Sequence, residues 1–421
     1  LDKEQRQVLK ESGFASMYPD MQQFYFDQQK IHGTANKRML EAVRANPEVD
    51  GYCIHALAGG DWVLGAGLID LWREPKGYVY EATKASNQPR IVSIRMTPRN
   101  VYAEKGAKLE VTGISELGTE SVAVSINIKS KKGEMVLSKK LEIDFKHGVS
   151  ELFADDLNAE KLSGSYSVEV NVVDKNGELI TSNTEHFDVF TQKQLNTPKA
   201  KLAIANSSKR LQEFLTKRNV DFDIFSDGTD KNTLVLIGKA NIKNKTYMSE
   251  AEAITEFVIG GGNAIFLEVP AHNVPRLEKG YDLQELEEDV LPFGTQMFSR
   301  WETLGGWAGK SHIVTDHPVF DDLPTNMIMH GIYENIHPKT TMAKQKGTYI
   351  AGEIGHYHFP REYRMVRHYN GPGETWWAAD VLESERGDGT MLLSTLDILN
   401  YLGTDPVAEK LLFNMVRHLS K

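Results

Sequence analysis

The spacing of apolar residues changes along this chain, and each spacing predicts a different kind of structure. Residues 1–13 follow a charged helical pattern, residues 14–19 form an irregular break, and residues 21–46 carry apolar side chains near helical spacing. We therefore predict two helices at the start of the chain, the second of which ends at Asn46 because Pro47 follows it.

Tyr52–Leu57 is a short, mostly apolar run bounded by glycines, which predicts a strand buried on both faces of a parallel sheet. The strand and the small-residue loop after it present His55, Asp61 and Trp62, at the end of a strand where barrel enzymes hold their substrates. An ordinary hydrophobic strand followed by a turn is the alternative. Inside such a strand, Cys53 is expected to be a packed, inert thiol.

Residues 20–86 resemble a known family. The segments "GYCIHALAGGDW" and "GLIDLWREPKGYVYEATKAS" are similar to the last strand, loop and helix of the catalytic (β/α)8 barrel in glycoside hydrolase family two, which includes β-galactosidases, β-glucuronidases and β-mannosidases. The resemblance implies that residues 1–86 are the C-terminal part of a barrel. It also implies that the catalytic glutamates, on the fourth and seventh strands of the family, precede residue 1.

The same resemblance suggests substrate contacts but no catalytic residue in this chain. Trp62 would form the floor of a sugar subsite, because a flat indole can hold a pyranose ring. Asp61 would lie at the rim of the barrel, but it has no visible partner carboxylate, so only substrate contact and no catalytic role is expected of it. His55 would donate a hydrogen bond to a sugar hydroxyl, or else be a core histidine with its hydrogen bonds satisfied.

Residues 87–192 alternate apolar and polar side chains in short runs separated by turns, which predicts a β-sandwich of the immunoglobulin or fibronectin type. The predicted strands are residues 91–96, 108–113, 122–129, 136–145, 165–173 and 186–189. The clearest hairpin is "YSVEVNVVDKNGELI", in which two apolar strands flank an Asn-Gly turn. This domain is expected to be a spacer or packing partner rather than a carbohydrate-binding surface.

From residue 198 to residue 421, short strands alternate with amphipathic helices, which predicts a doubly wound, mostly parallel α/β sheet. The segments "AITEFVIGGGNAIFLEVP", "TDHPVFDDLP" and "GDGTMLLSTLDILNYLGTDPVAEKLLFNMVRHL" resemble class I glutamine amidotransferase-like domains. The predicted fold class is therefore multidomain: a terminal barrel part (1–86), an immunoglobulin-like sandwich (87–192) and an amidotransferase-like domain (198–421).

Amidotransferase chemistry is not expected, because it needs a nucleophilic cysteine and residues 198–421 contain none. Glu268 follows the strand at which a nucleophile elbow could lie, and Pro270 would disturb such an elbow. Gly260–Gly262 comes after a helix and before a strand, which is the reverse of the order in a phosphate-binding loop. We therefore interpret these glycines as a tight turn.

Two further clusters have structural explanations. His356 and His358 would share one face of a strand and could bind zinc with a third ligand, but no partner stands at a recognisable spacing. A polar sheet edge is the preferred interpretation, and no metal site is predicted. The aromatic residues Trp301, Trp307, Trp376 and Trp377 lie in Gly-rich, loop-like segments, where packing between domains is favoured over sugar stacking.

The composition limits the partners. The net charge of −10 argues against nucleic acid or an anionic membrane, and no apolar run approaches the length of a membrane span. The single cysteine excludes an internal disulfide and a cysteine-cluster metal site. No cofactor is predicted. No signal peptide is visible, and a periplasmic or secreted location is an expectation from polysaccharide use alone.

These observations give two hypotheses. The first is the C-terminal portion of a β-glycosidase, such as a β-galactosidase, whose catalytic glutamate pair lies outside this chain and whose partner is the N-terminal remainder of the same protein. The second is a non-catalytic module for carbohydrate binding or for homo-oligomer assembly. The 421 residues do not begin with Met, so the chain is expected to be a fragment or a processed product.

Overall fold

The computed structural model describes residues 2–19, 21–54, 56–58, 67–70, 72–241, 243–269, 297–299, 311–338, 340–343, 345–356 and 375–420. These residues form two compact units. One unit contains the described residues 2–25 and 196–420, and the other contains those from 26 to 195. Among the described helices, none is both long and apolar enough to cross a membrane.

The described residues contain six α-helices. In chain order they are α1 (Asp2–Ser12), α2 (Met21–Arg44), α3 (Gly77–Ser86), α4 (Lys209–Lys217), α5 (Lys245–Ile259) and α6 (Pro406–Leu419). Short 3₁₀ helices lie at Phe14–Ser16, Pro318–Phe320 and Gly331–Tyr333. The two N-terminal helices match the predicted ones to within two residues.

The second unit is a two-sheet β-sandwich. Its strands are β1 (Arg90–Thr97), β2 (Asn100–Tyr102), β3 (Ala107–Ser115), β4 (Glu120–Ser130), β5 (Met135–Phe145), β6 (Gly148–Leu157), β7 (Gly164–Val173) and β8 (Leu179–Phe190). One sheet has the order β1-β3-β6 and the other β2-β8-β7-β4-β5. Alternate side chains such as Val124, Ile126, Val168 and Val170 are buried in the core, so the predicted sandwich is confirmed.

The predicted hairpin joins β7 to β8. In its turn the Asp174 carboxylate accepts hydrogen bonds from the backbone N–H groups of Asn176 and Glu178, both at 2.8 Å, and Gly177 takes a positive φ of 84°. A left-handed φ at this point favours glycine, which explains the Asn-Gly sequence.

Helices α2 and α3 belong mainly to this same unit, where polar contacts attach α2 to the sandwich. Arg38 pairs with Glu185 of β8 at 3.1 Å, and the Asn183 amide donates to Glu41 at 2.9 Å. Asn36 of α2 donates to Thr83 of α3 at 3.2 Å. The helices that resemble the last crossover of a barrel therefore pack with each other and with the sandwich.

The predicted strand at Tyr52–Leu57 is not formed by the described residues of that segment, so this prediction was wrong for them. Outside the named strands, the pairing recorded nearby is an isolated bridge between Ala58 and Ile69. Cys53 is exposed rather than buried, and Leu57 is 65% exposed. A strand buried on both faces needs hydrogen-bonded neighbours along both edges. Here the Leu57 carbonyl oxygen, at the end of the segment, accepts backbone hydrogen bonds from Leu68 at 2.8 Å and Ile69 at 3.0 Å, and the described residues of the segment form no strand.

The first unit is built on one mixed sheet of eleven described strands. They are β9 (Leu202–Ile204), β10 (Asp223–Ile224), β11 (Leu234–Ile237), β12 (Asn263–Phe266), β13 (Met297–Ser299), β14 (Ser311–Val314), β15 (Met327–Ile328), β16 (Thr340–Ala343), β17 (Thr348–His356), β18 (Thr375–Arg386) and β19 (Gly389–Ser394). The main order is β10-β9-β11-β12-β19-β18-β17-β14-β15, and β16 pairs with both β13 and β18.

The first five strands in that order are mutually parallel and the following ones are antiparallel. Among the parallel strands the order is second, first, third, fourth, fifth in chain sequence, which is a doubly wound arrangement. Residues on both faces, such as Val235 and Leu236, are fully buried. The alternation of strands and helices predicted here is thus observed, with a larger antiparallel part than the prediction allowed.

Helix α1 packs against β17 and β18 of this sheet. Beyond its end, the Phe14 ring lies 6.2 Å from the Tyr349 ring in an edge-on contact. The first residues of the predicted barrel part (1–86) are therefore part of the α/β unit. The three domain boundaries given above stay a prediction.

Candidate functional site

The three predicted sugar contacts, His55, Asp61 and Trp62, lie outside the described residues. The same holds for Trp301, Trp307 and His358, and for the side chains of His356, Trp376 and Trp377. The backbone of the last two is part of strand β18 rather than of a loop.

Trp72, which follows Trp62 by ten residues in the sequence, has a described and exposed side chain. The Asp70 carboxylate accepts hydrogen bonds from the N–H groups of Trp72 and Glu74, both at 2.9 Å, and so closes a tight turn. Arg73 in this turn has a φ of 72°. The turn holds Trp72 with 79% of its surface exposed, and an indole in water is available to a sugar face or to a protein surface.

A polar cluster lies at the carboxyl edge of the parallel strands, where doubly wound proteins bind their ligands. Lys239 follows β11, Glu268 follows β12 and Asp397 follows β19. The Lys239 ammonium is 3.4 Å from one Glu268 carboxylate oxygen, and the backbone N–H of Leu399 donates to the other at 2.9 Å. The fold therefore brings Lys239 and Asp397, from two other strand ends, to the Glu268 carboxylate.

The backbone at Glu268 is strained. Its φ is 48°, a left-handed conformation that costs a non-glycine residue roughly 1–2 kcal/mol. A strained residue directly after a buried strand is also the geometry that exposes a nucleophile in an elbow. Here that position holds a carboxyl group, which can accept and donate protons but cannot supply the thiolate of an amidotransferase.

The surroundings of Glu268 shift its protonation. Burial raises the pKa of this carboxyl group, the Lys239 ammonium lowers it, and the negative charge of Asp397 raises it again, so that the pKa lies above its ordinary value. Glu268 is 8% exposed. It therefore has the character of a group that can exchange a proton closer to neutral pH than a surface glutamate does.

The switch point of the parallel sheet, between β9 and β11, is occupied by the chain itself. The Glu250 carboxylate accepts hydrogen bonds from the backbone N–H of Asn206 at 2.8 Å and of Ser207 at 3.0 Å. The N–H of Gly238 donates to the Ser208 hydroxyl at 2.7 Å. In nucleotide-binding proteins of this topology such amides face a phosphate; here the Glu250 carboxylate and the Ser208 hydroxyl accept their hydrogen bonds.

A second polar cluster is buried in the antiparallel part of the sheet. His312 of β14 donates from Nδ1 to Asp380 of β18 at 2.6 Å, and its Nε2 lies 4.0 Å from Glu353 of β17. All three side chains are at most 1% exposed. Asp380 lies where the pairing of β17 with β18 shifts register, so a β-bulge directs this residue. The cluster joins three strands through side chains that are almost completely buried.

A third cluster is half-buried and joins His317, Glu383 and His418. The His317 and His418 rings meet edge-on with centroids 4.7 Å apart, and His418 Nε2 donates to a Glu383 oxygen. Burial lowers the pKa of His317, the nearby His418 lowers it further, and the carboxylates of Glu383, Asp321 and Asp316 act in the opposite direction. His317 is therefore more readily neutral than an exposed histidine.

No protein-family model matches this sequence, and no curated protein does. Similar solved structures include an exo-chitosanase of Amycolatopsis orientalis (15% identity, TM-score 0.32) and a β-D-mannosidase of Dictyoglomus thermophilum (22% identity, TM-score 0.31). A β-glucuronidase of Bacteroides uniformis is also similar (11% identity, TM-score 0.20).

The matches cover 38%, 40% and 43% of this chain and 19%, 20% and 29% of those chains, respectively. All three neighbours are named as enzymes that act on glycosides. The chain spans less than a third of their length, and TM-scores this low carry no argument for a shared fold or activity. The barrel and the amidotransferase-like assignments thus rest on the sequence resemblances alone.

Proposed function

We propose that this chain is the C-terminal portion of a glycoside hydrolase acting on β-linked sugars, with the catalytic glutamate pair outside the chain. Two features support the proposal. Residues 20–86 resemble the end of the family-two barrel, and the described β-sandwich begins at Arg90, directly after helix α3. A sandwich in this place matches the module order of the family.

The exposure of apolar side chains carries the proposal. Among the described residues, seven of the fourteen exposed large apolar side chains lie between Phe26 and Tyr78, within the segment that resembles a barrel. Trp72 is 79% exposed, Leu57 65% and Met39 60%. Water contact with side chains of this size is unfavourable, and such exposure marks surfaces that bind another protein segment or a ligand. The rest of a barrel is the partner we propose for them.

In the assembled enzyme, His55, Asp61 and Trp62 line the sugar subsite, as the resemblance implies. Retaining hydrolysis of a β-glycoside needs a nucleophile and an acid/base carboxyl group about 5 Å apart. Both would come from the preceding part of the protein, while this chain supplies binding contacts. Asp61→Asn and Trp62→Ala are then expected to raise KM, whereas Asp50→Asn, an exposed acid outside the subsite, leaves it unchanged.

Activity assays on aryl β-glycosides test the proposal. The panel contains β-galactosides, β-glucuronides, β-mannosides and β-glucosaminides, and the samples are the 421-residue chain and a longer protein that includes the preceding sequence. We expect turnover by the longer protein only. Turnover by the 421-residue chain, or none by the longer protein on any substrate, contradicts the proposal.

Trp72→Ala tests separately whether the rest of a barrel packs against Trp72. In the 421-residue chain an exposed indole contributes little, and the change in the free energy of unfolding is expected to stay within about 0.5 kcal/mol. In the longer protein the indole would be buried, and its loss would cost about 3 kcal/mol. Leu179→Ala is the matched control, since Leu179 is 62% exposed but lies in the sandwich. Equal effects of Trp72→Ala in both proteins would argue against barrel packing.

The exposed Trp72 also favours a second candidate, a carbohydrate-binding module without catalysis. This alternative predicts that the 421-residue chain binds soluble oligosaccharides by itself and that Trp72→Ala abolishes the binding, as measured by calorimetry. The barrel proposal predicts no such binding to the isolated chain through Trp72.

A further inference from the structure

His317, Glu383 and His418 come from three separate elements of the α/β unit. His317 caps the 3₁₀ helix at Pro318–Phe320, Glu383 lies on β18, and His418 lies in the last turn of α6. One potential ligand atom from each side chain lies within 4.8 Å of the other two. In a tetrahedral zinc site with bonds of 2.0–2.1 Å, neighbouring ligand atoms are about 3.4 Å apart. Small side-chain rotations would therefore bring these atoms to ligating distance.

The surroundings suit a cation. The carboxylates of Asp316 and Asp321 lie close enough to influence His317, in addition to Glu383. The nearest cations along α6 are engaged elsewhere: Lys410 pairs with Asp322 at 2.8 Å, and Arg417 donates to Asn414 at 2.7 Å. The local field is thus set mainly by carboxylates, which attract a divalent ion.

We propose that His317, Glu383 and His418 bind a divalent transition-metal ion, with zinc as the best match. Two imidazoles and one carboxylate are ligands that zinc accepts, and three protein ligands leave a fourth position for water. The His418 and Glu383 side chains are 18% and 29% exposed, so an ion can reach them from solvent. A bound ion would tie the C-terminal helix to strand β18 and to the loop before Pro318.

Metal binding replaces two existing contacts. The proton that His418 Nε2 shares with Glu383 moves to Nδ1 or to solvent when Nε2 takes the ion. His317 Nδ1 now accepts a long hydrogen bond of 3.3 Å from the Val319 N–H. Binding through either ring nitrogen of His317 gives up this bond, because the lone pair of Nδ1 is then used by the ion or by a proton. The site is therefore expected to favour metal binding as pH rises, since protons are released.

Calorimetric titration of the EDTA-treated 421-residue protein with ZnCl₂ tests the site. We expect one equivalent of zinc to bind, with an affinity that falls about tenfold or more in His418→Ala and in Glu383→Gln. Glu383→Gln preserves the size of the side chain and guards against a folding defect in His418→Ala. His147→Ala is the matched control, because His147 is an exposed histidine of the other unit, and it is expected to bind zinc as the unaltered protein does.

Cobalt gives a second measurement that does not depend on activity. Replacement of zinc by Co²⁺ at a four-coordinate site produces visible absorption bands, and we expect these bands to be lost in His317→Ala. No zinc binding by the unaltered protein overturns the proposal. So does binding of equal affinity in Glu383→Gln and His418→Ala, which would place the ion at other residues.

Discussion

Arg44 donates a hydrogen bond from Nη1 to the backbone carbonyl oxygen of Ser86 at 2.6 Å, and so joins the ends of helices α2 and α3. Its other terminal nitrogen pairs with Glu116 at 2.9 Å, while only 4% of the Arg44 side chain is exposed. The helix pair that resembles a barrel crossover is thus attached through one buried guanidinium to the segment that follows β3. The contact is formed without any other part of a barrel.

Arg44→Met removes both contacts while keeping a long apolar stem. We expect the free energy of unfolding of the 421-residue chain to fall by about 2 kcal/mol, because the buried Ser86 carbonyl loses its charged donor. Urea denaturation followed by circular dichroism measures the change. Arg95→Met, at an exposed position of β1, is the control and is expected to change stability little. A loss of the same size in both variants would show that burial of Arg44 is not the cause.

Gly33→Ala tests the packing of α2 on α3. A Cβ at residue 33 would lie 2.7 Å from the Tyr78 ring and 2.8 Å from the Tyr78 carbonyl oxygen. The backbone oxygen cannot rotate away, so the two helices must separate, at an expected cost of about 1–3 kcal/mol that exceeds the gain in helix propensity. Gly51→Ala is the control, since a Cβ there meets nothing within 4 Å. Equal melting temperatures for the two variants would contradict the close approach.

The sandwich could be predicted from sequence because burial alternates along most of its strands. In β4 and β7 every second side chain faces the core, and turn residues mark where these strands end. Strand β6, with the sequence "GVSELFADDL", was not predicted, because it contains acidic residues and few of its positions are buried. Its place is fixed by pairing with β3, which is a tertiary relationship.

For the segment Tyr52–Leu57 the error was the reverse, because a strand was predicted that the described residues do not form. Its apolar composition is that of a buried strand, but a strand also requires neighbours, and composition does not reveal whether they are present. In the α/β unit, the short buried strands and the helices between them were predicted correctly because their neighbours are present. There each apolar run is followed within the same chain by the strand or helix that covers it.

The two histidine–carboxylate clusters could not be predicted from the sequence. His312 and Asp380 are 68 residues apart, and Glu383 and His418 are 35 apart. Neither spacing matches a metal or catalytic motif, because strand register and helix packing bring these residues together. The position of Glu268 could be recognised in the sequence, because this residue follows a predicted buried strand of a doubly wound sheet. Its positive φ could be seen only in the structure.

Asp405→Ala tests a buried helix cap. The Asp405 carboxylate accepts from the Val407 N–H at 2.8 Å and from the Asn335 amide at 2.8 Å, and it is 2% exposed. Its loss leaves the buried Val407 N–H and the exposed Asn335 amide without this partner, so we expect a cost of about 2 kcal/mol in the free energy of unfolding, mainly from the buried N–H. Asn244→Ala, which removes the exposed cap of α5, is expected to cost about 1 kcal/mol. A smaller effect for Asp405→Ala than for Asn244→Ala would contradict this ranking.

Glu268→Gln tests the electrostatics of the carboxyl edge through pH. Burial raises the pKa of Glu268 in the folded protein above its ordinary value of 4.5. The folded state therefore holds this proton more tightly than the unfolded state does. The contribution of Glu268 to stability is fully present below pH 4.5 and is lost as pH rises through the raised pKa.

Glutamine stays neutral at every pH, and its carbonyl oxygen can still accept from the Leu399 N–H. We expect the stability of Glu268→Gln relative to the unaltered chain to increase between about pH 4 and about pH 7. Urea denaturation at several pH values measures this difference, and Glu252→Gln on the exposed face of α5 serves as the control, with a flat difference expected. If the difference for Glu268→Gln is flat or falls over this range, the carboxyl group is not held in its neutral form by burial, and its attraction to Lys239 outweighs the loss of hydration.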